Sequence, residues 1–255
     1  MVWRGILQGC ELAVNLVTTL ALLLCGSFGV YALWDNDQVL TSASDVRAEL
    51  LQWKPEPAAD QEMPDNSEAF AQLRNINPEV RGWITMDGTG IDFPVLQGQN
   101  NLSYINRDVF GNFSLAGSIF LDSRDDPGFG EAYALLYGHH MADGNMFGDL
   151  DKYREEAFFL ENRTGQLILP EKIYRLEVAA CLVVSASEKQ IFDPEYVRSR
   201  MSGWLSFLRE EALWLREENL GEGQYLALST CSTEFTDART VVLTRMELVE
   251  EGGTK

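Results

Sequence analysis

The chain reads as a mainly β protein, a closed barrel carrying helical additions, and three observations predict this. From Gly82 onward, short apolar runs alternate with turn residues such as Asp87-Gly88 and Pro170-Glu171. Only one extended stretch of helical periodicity, opened by Asp193-Pro194, interrupts those runs. Many short strands with few helices close more readily into a barrel than into helix-covered layers.

The strands are taken in order. Trp83-Ile84-Thr85-Met86 runs into the Asp87-Gly88 turn, and Ile91 to Leu96 returns from it. Ser118 to Leu121 follows a glycine, and Ala132 to Tyr137 ends at Gly138. Gln166 to Leu169 and Ile173 to Ser185 form a hairpin turned at Pro170-Glu171. Tyr225 to Thr230 and Thr240 to Leu248 close the chain. Between them, Asp193 supplies an N-cap and Pro194 the first helical position of one long helix. Val197, Met201, Trp204, Leu205, Leu208, Ala212 and Leu215 then fall on one face, with an end near Asn219 and Gly221. Upstream, Asn66 to Asn75 reads as a short helix. Val46, Leu50, Leu51 and Trp53 mark another that breaks at Pro55. No internal repeat is visible.

The N-terminal segment sets the expected compartment. Leu12 to Trp34 carries no formal charge, and roughly 20 apolar residues span a bilayer as a helix. Arg4 precedes this segment, and Asp35 and Asp37 follow it, so residues 1–11 are expected in the cytoplasm and the rest outside. The bulky Val30 to Trp34 end lacks the small residues of a signal-peptide cleavage site, which favours a retained anchor. The expected organisation is a 12–34 transmembrane anchor, a 35–65 extracellular stalk, a 66–250 catalytic domain and a 251–255 tail.

Composition excludes some classes of partner. The 255 residues carry a formal net charge of −19 and are 45% hydrophobic, which fits a globular protein. A phosphate backbone repels such a surface, and no Lys/Arg cluster offsets the average, so no nucleic-acid partner is expected. The four cysteines, Cys10, Cys25, Cys181 and Cys231, show neither CxxC spacing nor a disulfide framework. The only histidines, His139 and His140, are adjacent. Neighbours on an extended chain point opposite ways, and no third ligand is evident, so neither a metal nor a cofactor is expected.

Three residues stand where chemistry is possible. Cys231 leaves the Leu226-Ala227-Leu228 strand within the small polar run Ser229-Thr230-Cys231-Ser232-Thr233. A thiol at a strand end is exposed enough to act as a thiolate nucleophile, whereas Cys181, inside Val178 to Val184, suits a core. His139 turns out of the Ala134 to Tyr137 strand, and an imidazole there can donate a proton. Arg239 opens the last strand, a short loop beyond Cys231, and a fixed cation there can stabilise an oxyanion. Glu234 and Asp237 are candidates to orient His139. Together these residues point to nucleophilic catalysis.

At these residues the chain resembles the sortase family, and class B in particular. Leu228-Ser229-Thr230-Cys231 followed by Arg239 matches the LxTC…R signature. Tyr137-Gly138-His139 and Met146-Phe147-Gly148-Asp149-Leu150 are similar to the class B segment around the catalytic histidine. Asn75 to Trp83, Gly117 to Asp122 and the long helix before the cysteine strand are class B-like too. The resemblance spans about Phe70 to Leu248. It implies an eight-stranded barrel and a membrane-anchored transpeptidase that cleaves a C-terminal sorting signal after Thr. Cys231 would attack, His139 would protonate the departing amine, and Arg239 with a backbone N–H near Cys231 would hold the oxyanion. Ser229, Thr230 and Ser232 would border the substrate. The partners implied are surface proteins bearing sorting signals and an amine from a peptidoglycan precursor or a pilin Lys. The enzyme would act at the membrane of a Gram-positive-type envelope. His140 stands where some relatives carry Asn or Thr, and His139 is assigned by its place after Tyr-Gly. Two rivals remain. A papain-like cysteine hydrolase needs an Asn or Asp orienter but no arginine. A non-catalytic membrane-anchored scaffold needs none of the three residues.

Overall fold

The computed structural model describes residues 2–58, 64–141, 143–230 and 238–249. The chain divides into two units, Met1–Ser42 and Ala43–Lys255. The first is helical and belongs to α1 (Val2–Leu51). Leu12, Leu16, Leu20, Leu23, Phe28 and Trp34 all lie exposed there. It is long and apolar enough to cross a membrane, the one such helix among the described residues.

The second unit is built on nine strands: β1 (Val80–Met86), β2 (Asp92–Leu96), β3 (Ile119–Leu121), β4 (Tyr133–Gly138), β5 (Thr164–Ile168), β6 (Ile173–Ser185), β7 (Trp214–Leu215), β8 (Gln224–Thr230) and β9 (Ala238–Leu248). Eight of them follow one another as β5-β1-β2-β3-β4-β8-β9-β6, and β6 pairs back onto β5, so the barrel closes. The two-residue β7 adds only to the edge of β6. Pairing is parallel at β2–β3 and β4–β8 and antiparallel elsewhere, a mixed barrel. Closure leaves no long free edge to template aggregation. The expected hairpin is β5–β6, where Leu169 N–H donates to Lys172 O at 2.9 Å.

Two apolar clusters cover the barrel. One gathers Leu50 of α1, Phe70 and Leu73 of α2 (Ser67–Ile76), and Trp83, Leu96, Phe120 and Ile168 of the strands. The turn at Leu50–Trp53 therefore packs as core, although the composition around it reads as a polar stalk. Lys54 adds an ion pair to Asp92 at 2.8 Å. The second cluster sets Ile191, Val197, Trp204 and Leu208 against Tyr133, Leu135, Ala180, Leu182, Ala227 and Val241. Trp204 meets Tyr133 and Tyr225 edge-on, at 5.3 and 5.2 Å between centroids. The Met and Trp stripe is thus core packing.

The long helix expected between Asp193 and Asn219 is not continuous, and this is a correction. After α3 (Glu156–Glu161) and α4 (Lys189–Phe192), the stretch is realised as α5 (Pro194–Arg198) and α6 (Met201–Glu211). Asp193 does cap α5, accepting from Tyr196 N–H at 3.3 Å. The break follows one turn later. Ser199 Oγ donates back to Tyr196 O, and Arg200 leaves helical angles at φ −139°, ψ 34°. A side-chain hydroxyl offered to a helical carbonyl competes with the regular ladder. Past α6, Trp214 and Leu215 pair as strand with Cys181 and Ala180. The helical spacing of Leu215 is overridden by pairing to the edge of β6.

Candidate active site

Sheet order converges three strand ends. β4, β8 and β9 are consecutive neighbours in the barrel. β4 and β8 are parallel, with Gly138 paired to Thr230, so both strands finish at the same rim. His139 comes directly after Gly138, and Cys231 directly after Thr230. β9 runs antiparallel to β8, with Ser229 opposite Val241, so it starts where β8 stops. Arg239 lies at that start, opposite Val184 of β6. His139, Arg239 and the end of β8 at Thr230, which Cys231 follows in sequence, therefore share one rim. Cys231 itself, with Ser232, Glu234 and Asp237, lies outside the described residues.

Why the chain turns here is legible locally. A Cβ on Gly138 would stand 2.5 Å from Ile119 Cδ1 and 2.8 Å from the Phe147 ring, so only glycine fits between them. Beyond it the chain closes a tight loop. His140 bridges Met146, and Phe147 N–H donates to His139 O at 3.0 Å. Met146 takes φ 52°, a left-handed conformation that costs energy in a residue with a side chain. Asn145 and Asp149 hold the loop from either side, through Ser44 Oγ at 3.1 Å and Gly90 N–H at 2.7 Å.

The two imidazoles take separate partners. His139 is half-buried, and its Nε2 lies 2.7 Å from the carbonyl of Ile105, in the β2–β3 connection. A carbonyl only accepts, so Nε2 carries the proton. His140 turns the other way and sets Nε2 3.0 Å from Asp151 Oδ2. Among the described residues no group of His, Cys, Asp or Glu side chains is arranged to hold a metal ion.

Arg239 is half-buried, and its Nη1 is buried with no hydrogen-bond partner among the described residues. A buried guanidinium donor left unpaired is costly, so this atom is suited to an acceptor brought by a ligand. Ser229 and Thr230 are buried, at 0% and 4% exposure. Ser229 Oγ donates to Thr230 O, and Thr230 Oγ1 accepts from Thr240 N–H at 3.3 Å. Both hydroxyls thus find partners within β8 and β9.

Cys181 is fully buried, and desolvation pushes its thiol up to about 12. It alternates along β6 with Ala180 and Leu182, which face the second apolar cluster. Such a thiol is inert at neutral pH. Cys10 and Cys25 are exposed on α1.

Behind the rim, Tyr137 links β4 to the helical insertion. Its hydroxyl lies 3.1 Å from Asp122 Oδ2, and its ring stacks 6.4 Å from Phe192. Burial pushes the Asp122 carboxyl up, but side-chain and backbone hydrogen bonds from Arg124 outweigh it and hold the group below the usual range. Arg124 in turn donates to Phe192 O, and Arg198 of α5 pairs with Asp125 at 2.7 Å. Sequence reasoning missed Ile105, Asp122 and Asp151. A backbone carbonyl has no sequence signal, and the two aspartates are recognisable only once strand neighbours are known.

The chain is similar to known proteins. The sortase domain family matches residues 84–247. The chain is similar to sortase B of Listeria monocytogenes, 26% identical over 204 residues that cover 79% of this chain and 81% of that protein. Its fold is similar to a Streptococcus pyogenes class B sortase involved in pilus biogenesis, with TM-score 0.65 and 36% identity over 70% of this chain and 97% of that one. A Bacillus anthracis protein similar to sortase B superposes with TM-score 0.68 and 30% identity, covering 79% and 94%. With a closed mixed barrel of eight strands and this rim, the chain belongs to the sortase family and is a cysteine transpeptidase of class B.

Proposed function

We propose that this transpeptidase cleaves a C-terminal sorting signal after Thr and joins the acyl group to an amine of the cell wall or of a pilin. The observation that carries the reading is the shared rim of β4, β8 and β9, which gathers His139, the chain position after Thr230, and Arg239. The Cys231 thiolate attacks the Thr carbonyl, and the electron pair moves to the oxygen. Arg239 and a backbone N–H near Cys231 receive that oxyanion. The C–N bond breaks, His139 gives its proton to the departing amine, and a thioester remains on Cys231. An incoming amine then attacks the thioester, forms the amide and returns the thiolate, while the base form of His139 takes the surplus proton. Ser229 and Thr230 at the end of β8, and Ser232 after them in sequence, border the substrate.

The test uses a peptide pool with one fixed Thr and hydroxylamine as the amine. Hydroxamate formed at Thr at the expense of the free acid supports transfer. Free acid alone, unchanged by hydroxylamine, favours the papain-like hydrolase. Arg239 distinguishes the two as well, because that hydrolase logic does not need it. Arg239→Ala and Arg239→Lys are expected to lower kcat by about 10²–10³, since an oxyanion donor acts only in the transition state. Lysine does not substitute, because an ammonium on another stem lacks the planar pair of donors. Near-normal kcat in both variants would reduce Arg239 to a structural cation.

The remaining domain assignments support a surface enzyme. Residues 1–11 lie in the cytoplasm, 12–34 form the anchor, 35–65 lead to the domain, 66–250 carry the chemistry outside the membrane, and 251–255 are a tail. The uncharged stretch of α1 and its exposed apolar side chains support the anchor. Removal of roughly the first 34 residues is expected to give a soluble protein that retains turnover, because about 20 of them make the bilayer crossing. Full-length protein recovered in the soluble fraction of cells would contradict the anchor.

A further inference from the structure

The adjacent histidine, His140, is not used by the chemistry above, yet it is engaged. Asp151, in the 3-10 helix Gly148–Arg154, places Oδ2 3.0 Å from His140 Nε2. Its other oxygen, Oδ1, accepts from Thr240 Oγ1 at 2.5 Å. The Thr240 amide donates to Thr230 Oγ1 at 3.3 Å. One carboxylate is thereby strung between the residue after His139 and the residue after Arg239. Through Thr240 it reaches the residue before Cys231.

We propose that Asp151 is a positioning residue, which with His140 and Thr240 braces the separation of the His139, Cys231 and Arg239 strand ends. This rests on the reading of that rim as the reacting centre. The stabilising value of the His140–Asp151 pair is small, because its side chains are 32% and 38% exposed. Its value is geometric. β4 and β9 are not neighbours in the barrel, since β8 lies between them. The loop after Gly138 includes a strained Met146 and has no strand ladder of its own to fix its reach toward β9. A misplacement of about 1 Å can cost as much as 10²-fold in rate, so a brace outside the substrate path still controls turnover.

The experiment compares Asp151→Ala, Thr240→Val, His140→Ala and His140→Gln in the full chain in detergent micelles. Amide hydrogen exchange is the activity-independent readout. Asp151→Ala and Thr240→Val are expected to speed exchange at Thr240 and Phe147 by about tenfold, while interior amides of β1, β6 and β8 stay protected. With the fixed-Thr peptide pool and hydroxylamine, kcat should fall by about tenfold at little-changed KM. His140→Gln, whose amide still donates to Asp151, should recover most of what His140→Ala loses. The double variant His140→Ala/Asp151→Ala should be no slower than the worse single, because both remove one strut. Thr240→Val keeps shape and branching, so it reads the brace even where Asp151→Ala folds poorly. Unchanged exchange at Thr240 and Phe147, or losses that simply add, would overturn the brace. A wild-type protein that forms no hydroxamate overturns the transfer reading instead, and the exchange result still judges the brace.

Discussion

Cys231→Ala is expected to abolish thioester formation and turnover together, down to the uncatalysed background. No other thiol is placed to replace it. Cys181 is fully buried in β6 with its thiol pushed up to about 12, so at neutral pH it is neither ionised nor reachable. Cys10 and Cys25 are exposed on α1, but Cys25 lies in the segment proposed as the anchor and Cys10 in the segment proposed to lie in the cytoplasm. Intact-mass measurement after incubation with the fixed-Thr peptide pool checks the acyl adduct, and peptide mapping after iodoacetamide assigns each labelled thiol. Cys181→Ala should stay within a few-fold of wild-type turnover, because it alters packing alone. A folded Cys181→Ala protein that loses the adduct, or a Cys231→Ala protein that keeps it, would place the nucleophile elsewhere.

His139→Ala is expected to lower kcat by about 10²–10⁴, the usual contribution of a positioned general acid. His140→Ala should cost about tenfold or less, since that ring acts through Asp151 rather than on the substrate. The chemistry offers a sharper discrimination than the ranking alone. An amine must be protonated as it leaves, whereas a thiolate leaves unaided. A peptide thioester ending at the fixed Thr should therefore acylate Cys231 in His139→Ala at close to the wild-type rate, while the amide substrate stays slow. Equal deficits on amide and thioester would show that His139 positions or ionises the thiol instead. The reverse ranking of the two alanine variants would move the acid to His140.

Local pattern was sufficient for most of the strands and for the residue types of the site. The runs Trp83–Met86, Ala132–Tyr137 and Tyr225–Thr230 each lie within an observed strand or within one residue of it, because a strand's burial is written in consecutive positions. The same argument placed Cys181 in the core and His139 and Arg239 at strand ends, since strand length and turn residues are short-range properties. Helix continuity between Asp193 and Asn219 was not legible in this way. The periodicity of Val197 to Leu215 reports a shared buried face, and that face is equally served by two short helices and a strand pair.

The rim itself depends on pairings between segments far apart in sequence. The ends of β4 and β8, at Gly138 and Thr230, become neighbours because the two strands are parallel, and the start of β9 with Arg239 joins them because β9 returns antiparallel on the other side of β8. No spacing along the chain encodes that order. It follows from closing the barrel, which pairs eight strands in one ring and buries both apolar clusters together. The partners of the two imidazoles depend on that closure as well. The carbonyl of Ile105 and the carboxylate of Asp151 are ordinary residues in sequence, and they gain roles when the folded barrel brings them within hydrogen-bond reach of His139 and His140. Residue chemistry was thus readable one segment at a time, whereas the geometry that couples those residues arises from long-range strand pairing.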